Sequence, residues 1–227
     1  VRIGVLGSGA VGQTIAAKLV NIGHDVTLGT RDVAALLARE EPGMGQRESF
    51  AAWHRQHPKV VLGTFAEAAG HGALLFNCTA GGASLAALDL AGAERLRGKI
   101  LIDVANALDF SAGLPPSLSV VNTDSLGEQI QRAFPDVRVV KALNTVTAAV
   151  MVEPQLVAGG DHHIFVCGED APARTEVAAH LKSWFGWREV IDLGGISAAR
   201  GTEMYLPLWL QLMGALDTAT FNIKVVR

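Results

Sequence analysis

Ile3-Gly4-Val5-Leu6-Gly7-Ser8-Gly9-Ala10-Val11-Gly12-Gln13-Thr14-Ile15-Ala16-Ala17-Lys18-Leu19 decides the fold. A short apolar run, Ile3 to Leu6, reads as a strand buried on both faces. It breaks at Gly7-Ser8-Gly9-Ala10-Val11-Gly12, which matches G-x-G-x-x-G, and continues as an alanine-rich helical stretch over Val11 to Asn21. In this setting the glycines have separate uses. Gly7 allows the tight turn, Gly9 lets a pyrophosphate approach the backbone, and Gly12 lets helix and strand pack closely. The unpaired N–H groups at the helix start then face the anion. The pattern extends through Gly4, Ala16 and Leu19. We read Gly7, Ser8, Gly9, Ala10, Val11 and Gly12 as a dinucleotide-binding turn; the alternative is a glycine-rich turn made only for packing.

Outward from this turn the same rhythm repeats. Short apolar strands are expected at Val26–Leu28, Val60–Leu62, Leu74–Phe76, Ile100–Ile102, Val137–Val140, Ile164–Val166 and Glu189–Ile191. Helices are expected over Asp32–Arg39, Phe65–Ala69, Ser84–Leu88, Ser125–Ala133 and Ala173–Trp184. Alternating elements of this kind build an α/β, doubly wound, mainly parallel Rossmann sheet. Two segments interrupt it. Glu41 to Pro58 reads as an insertion over the sheet, and Phe110 to Ser119 as an exposed loop. After Gly194-Gly195 a long apolar helical stretch begins, which Pro207 should kink or divide. We expect a binding domain over 1–145 and a small C-terminal helical portion, 146–227, that extends the sheet and adds this helix.

The second strand ends Thr27-Leu28-Gly29-Thr30-Arg31. A site for the unphosphorylated coenzyme usually places a carboxylate at this tip to hold the ribose hydroxyls. Here Thr30 and Arg31 stand there, and a guanidinium forms charge-assisted bonds to a 2′-phosphate. Asp32 lies past the tip, where it would cap the next helix. NADP is therefore the expected cofactor. In the competing reading Arg31 is solvated and Asp32 binds the ribose.

Composition sets outer limits. The chain has 227 residues, 49% hydrophobic and 18% charged, and a net charge of -3. That supports a sizeable core and gives no electrostatic footprint for nucleic acid. No stretch reads as an export signal or a membrane span, and the two cysteines, Cys78 and Cys167, fit a reducing compartment. The expectation is a soluble, cytoplasmic protein with no nucleic-acid or membrane partner and no metal site.

Three later strand ends carry polar residues where such sheets bind ligands. Asn77-Cys78-Thr79-Ala80 offers cofactor contacts at Thr79 and Ala80, or is an ordinary strand-to-helix turn. Asp103-Val104-Ala105-Asn106 offers Ala105 and Asn106, the latter able to bond a carboxamide or ribose. Lys141-Ala142-Leu143-Asn144-Thr145 forms a compact polar cluster where a substrate should sit.

Taken in order, the glycine turn, Gly29-Thr30-Arg31, Asp103 to Asn106, Val139 to Thr145 and the ending Phe221-Asn222-Ile223-Lys224 resemble the coenzyme F420-dependent NADP oxidoreductase family. The resemblance implies a Rossmann domain, often dimeric, with NADP in the glycine-turn cleft. It also implies hydride transfer between nicotinamide C4 and C5 of a deazaflavin. Metalloreductase domains that reduce a flavin share this ancestry. Transfer between two flat rings needs close, dry stacking more than acid–base groups. Lys141, with Asn144 and Thr145, is the expected catalytic cluster, supplying a field near N1 and O2 of the acceptor or positioning its ring. Lys141 could instead form a salt bridge at the strand end. The alternatives to a deazaflavin or flavin reductase are a sensor that binds NADP without turnover, and a reductase of an imine or a ferric chelate.

Other dehydrogenase classes fit poorly. The one tyrosine, Tyr205, is followed four residues later by Trp209, so no Y-x-x-x-K exists. Lys141 and Asn144 lie three apart at a strand end rather than four apart on a helix.

Overall fold

The computed structural model describes residues 1–227. In chain order the first half runs β1 (Arg2–Leu6), α1 (Ala10–Asn21), β2 (Asp25–Thr30), α2 (Val33–Ala38), α3 (Phe50–Gln56), β3 (Val61–Thr64), α4 (Phe65–His71), β4 (Leu74–Asn77), α5 (Ser84–Ala91), α6 (Ala93–Leu96) and β5 (Ile100–Asp103). The second half adds a small ladder, β6 (Leu108–Asp109) and β7 (Ser117–Leu118), then α7 (Leu126–Ala133), β8 (Arg138–Ala142), α8 (Ala148–Val152), β9 (His163–Cys167), α9 (Ala171–His180), β10 (Glu189–Asp192), α10 (Ala199–Met204) and α11 (Leu206–Leu216).

Eight strands form one sheet in the order β10-β9-β8-β5-β4-β1-β2-β3. All neighbours pair parallel except β8 and β9, which pair antiparallel through Lys141–Cys167 and Ala142–Val166. This is the α/β Rossmann architecture expected from the strand pattern. From β1 the chain winds one way into β2 and β3, then returns past β1 to β4 and β5. The order therefore reverses beside the glycine turn, where such sheets open a ligand crevice.

Each face of the sheet is covered. Ile3 and Val5 of β1, with Ile15, Ala16 and Leu19 of α1, belong to one core, and Leu6 with Ala68, Leu75 and Leu101 to the other. Helix α1 buries Gly12, Ile15, Ala16 and Leu19, the spacing that puts one face on the sheet. It ends where Gly23 takes φ 92°; Gly23 N–H donates to Val20 O and His24 N–H to Leu19 O, which satisfies the last carbonyls.

Two segments differ from the sequence reading. The 41–58 insertion holds α3, capped by Ser49 Oγ accepting from Ala52 N–H at 3.4 Å. Its Phe50 and Trp53 enter the α1-side core. Apolar residues three apart behind a serine cap form a helical signal, obscured by Pro42, Gly43 and Gly45 just before it. The loop expected over Phe110–Ser119 is bracketed by β6 and β7, which pair Leu108 with Leu118 and Asp109 with Ser117. At the C-terminus, helical structure breaks at Tyr205, so Pro207 sits in the first turn of α11, where its missing N–H leaves no bond unmade. No helix is long and apolar enough to cross a membrane.

Candidate functional site

The chain leaves β1 through Gly7, whose φ is 118° and whose N–H donates to Gly29 O at 2.9 Å. A side chain at Gly7 would press on the Cys78 carbonyl, and one at Gly12 on the Gly7 carbonyl. Both positions need glycine because backbones touch there. Gly9 is different: a Cβ there would meet nothing within 4 Å. It is the N-cap residue immediately before α1, no side chain caps that terminus, and no acidic residue stands in the first turn. Free N–H groups thus face open space at the positive end of a twelve-residue helix. The residues present fit a pyrophosphate.

A cleft of about 370 Å³ runs from this turn along one side, lined by Gly7, Ser8, Gly9, Thr30, Arg31 and Thr79 among others. Arg31 is exposed and makes no hydrogen bond or ion pair with the protein. Asp32 is engaged elsewhere: its Oδ1 accepts from Ala35 N–H at 2.9 Å, capping α2. Thr30, Arg31, Thr79 and Ala80 therefore border one cleft with the glycine turn.

Beyond the turn, the ends of β4, β5 and β8 are tied together by buried polar groups. Thr79 Oγ1 donates to Asn77 Oδ1 at 2.7 Å, and Asn77 Nδ2 donates to Asp103 Oδ1 at 2.9 Å. Asp103 Oδ2 lies 2.6 Å from Lys141 Nζ. Lys141 Nζ also reaches Ala105 O at 2.7 Å and Glu203 Oε1 at 2.7 Å. The Lys141 side chain is wholly buried; it donates a hydrogen bond to Ala105 O and is ion-paired to both carboxylates. Glu203 in turn accepts from Leu126 N–H at 2.8 Å and Gly127 N–H at 3.0 Å, the first amides of α7. Burial alone would pull the Lys141 pKa down. The charges and hydrogen bonds of Asp103 and Glu203 outweigh that and hold it above the ordinary lysine range. Lys141 thus forms the strand-end salt bridge that was the alternative to a ligand contact. Glu203 was not legible as a site residue: it lies in a helix read for its apolar positions, 62 residues from its partner.

Asn106 and Asn144 form a reciprocal pair. Asn106 Nδ2 donates to Asn144 O at 2.8 Å, and Asn144 Nδ2 donates to Asn106 Oδ1 at 3.0 Å. Leu143, fully buried at φ 63°, turns the chain out of β8 so that this pairing forms. Thr145 follows, 3% exposed, with no partner for its Oγ1. It borders an apolar cavity of about 250 Å³ that also includes Phe165, Thr202 and Tyr205, whose hydroxyl is likewise unpartnered. Ala105, Asn106, Asn144 and Thr145 are thereby gathered at one end of the sheet. Neither cysteine is a nucleophile at neutral pH: burial raises the Cys78 thiol far above its ordinary range and pushes Cys167 up to about 12.

A glycine turn opening a helix, at the reversal point of a parallel sheet, defines a dinucleotide-binding α/β protein. Residues 2–107 match the family model for NADP oxidoreductase, coenzyme F420-dependent. A crystal structure from Arthrobacter sp. FB24, provisionally named an F420-dependent NADP-reductase, is 56% identical. The match covers 100% of this chain and 99% of that one, with a TM-score of 0.95. The chain therefore belongs to the coenzyme F420-dependent NADP oxidoreductase family. More distant relatives are metalloreductase STEAP3 of Rattus norvegicus, 26% identical over 92% of this chain, and metalloreductase STEAP2 of Homo sapiens, 26% identical over 97%. The chain spans 38% and 40% of their lengths, about two fifths of each.

Proposed function

We propose that this protein transfers hydride between NADP(H) and a deazaflavin, coenzyme F420, or a flavin-like acceptor. The observation that carries the cofactor assignment is an unpaired Arg31 on the cleft of the glycine turn, with the adjacent carboxylate of Asp32 already committed to capping α2. When bound, NADPH supplies a hydride from nicotinamide C4. The protein's part is to hold and orient. Gly7 to Gly12 receive the pyrophosphate, Thr30 and Arg31 the 2′-phosphate, and Thr79, Ala80, Ala105 and Asn106 the ribose and carboxamide. Asn144 and Thr145 present an amide and a free hydroxyl on the acceptor side. Lys141 acts as a positioning residue, fixing the Asp103–Ala105 turn against α7 and α10.

The decisive test is NADPH oxidation with coenzyme F420, FMN, FAD and ferric chelates offered in turn. Turnover with the deazaflavin or a flavin is expected. Turnover with ferric chelates alone would favour a metalloreductase-type reaction, a reading supported by the alignment of the STEAP relatives over nearly the whole chain. Turnover with none would leave a sensor that binds the cofactor without chemistry.

We further propose a homodimer in a reducing, cytoplasmic setting. Helix α11 carries Leu208, Trp209, Leu210, Leu212, Met213 and Leu216, yet only Leu206 is buried. Leu208 and Leu216 are 56% and 55% exposed. An apolar surface of this kind is what a second copy would cover. Sedimentation should give twice the 23.8 kDa chain mass; a monomer at tens of micromolar would remove the proposal.

A further inference from the structure

A second cavity, about 620 Å³, lies on the opposite side of the glycine turn from Arg31. One wall is α1: Ala10, Thr14, Ala17 and Asn21 follow one another down a single face. At 1.5 Å per residue this wall is about 16 Å long. The other wall is the 45–53 segment, and α8 closes the upper end through Thr147 to Ala149. The groove thus begins beside the glycine turn and two residues past Thr145, then runs outward. Lys18 and Arg47 line it, and neither makes a hydrogen bond or ion pair within the protein. The one carboxylate on its lining, Glu48, accepts from Gln56 Nε2 at 2.7 Å. The segment is also wired to the turn: Gln46 Nε2 donates to Ser8 O at 3.0 Å, and Gln46 Oε1 accepts from Gly43 N–H at 2.6 Å.

A pocket of this size is in the range that holds small molecules. Its shape is elongated, its polar ends are amides and hydroxyls near the turn, and its free charges are both positive. Lys18 stands eight residues, about 12 Å, along α1 from Ala10. We infer that this groove takes the anionic tail of the hydride acceptor, with Lys18 and Arg47 meeting its phosphate and carboxylate groups. The ring end then remains at Asn144 and Thr145. The inference rests on the deazaflavin reading above, because coenzyme F420 carries such a tail and the same ring system with only a ribityl chain does not.

The two acceptors make the test. KM should be measured for coenzyme F420 and for the tail-free ribityl deazaflavin, with NADPH as donor, in the wild type and in Lys18→Glu/Arg47→Glu. Loss of charge-assisted contacts at two exposed cations predicts a rise of about 10- to 100-fold in the KM ratio of tailed to tail-free acceptor. The wild-type preference for the tailed form should shrink in high salt. Lys18→Met/Arg47→Met, which removes charge without reversing it, should move the ratio in the same direction and guards against misfolding of the first variant. An unchanged ratio in both variants, or no wild-type preference for the tail, overturns the groove assignment and leaves the deazaflavin reading standing. Failure of the wild type to reduce either deazaflavin overturns that reading, and the groove assignment with it.

Discussion

Arg31→Glu should raise the KM for NADPH by about two to three orders of magnitude while changing the KM for NADH by no more than about threefold. The guanidinium borders the cleft beside Gly7, Ser8 and Gly9 with no partner of its own. A hydrogen bond to a charged group contributes about 1.5–3 kcal/mol. Reversing the charge adds repulsion against a dianionic ester, so a total of about 3–4 kcal/mol is reasonable, and every 1.4 kcal/mol is tenfold. The unphosphorylated coenzyme has no ester at this position and loses only a weak long-range attraction. Because Arg31 is exposed, the wild-type preference should also fall between low and high ionic strength. Protein stability should barely move, since the side chain holds nothing in the fold. Equal loss with both coenzymes would assign Arg31 to some other task. An unchanged preference would take the 2′-phosphate away from the tip of β2 altogether.

The contrast between Arg31 and Lys141 shows how far the sequence could be read. Arg31 lies two residues past Gly29 at the end of an apolar run, so position along one strand sufficed to place it on the cleft. The glycine turn is legible for the same reason: its constraints are local, set by backbone contacts within a few residues and one neighbouring strand. Helix α7 announces itself by Ser125 and Glu128, three apart, as a capped start. The polar ends of β4, β5 and β8 were legible as a group, because a doubly wound sheet must bring them to one edge. Their partners were not. Asn106 and Asn144 meet across 38 residues, and Lys141 and Glu203 across two helices and two strands. No spacing rule encodes such contacts; they exist because β8 pairs parallel with β5 and α10 returns over the same edge. Phe50 and Trp53 were hidden by composition, since proline and glycine immediately upstream favour a loop.

Lys141→Met should lower stability by about 3–5 kcal/mol, the usual consequence of removing one partner from a buried ion cluster. For a chain of this size that is roughly 10 °C or more in melting temperature. Methionine fills much of the space, so cavity formation is a minor term. The larger one is electrostatic: without the ammonium, Asp103 and Glu203 are left as two carboxylates in a site shut off from water. One of them must then bind a proton, which raises its folded-state pKa above the unfolded value. A carboxyl raised in this way favours the folded state below that pKa and opposes it above. The variant should therefore lose more stability at pH 8 than at pH 5, each measured against the wild type at the same pH. Glu203→Gln added to Lys141→Met should recover part of the loss, because it removes the second charge while its amide oxygen can still accept from Leu126 or Gly127. This double variant also separates fold from chemistry. Stability regained with normal turnover makes Lys141 a positioning residue only. Stability regained with hydride transfer still slowed would return it to the reacting centre. A single variant that melts with the wild type would show that the triad does not hold the site together.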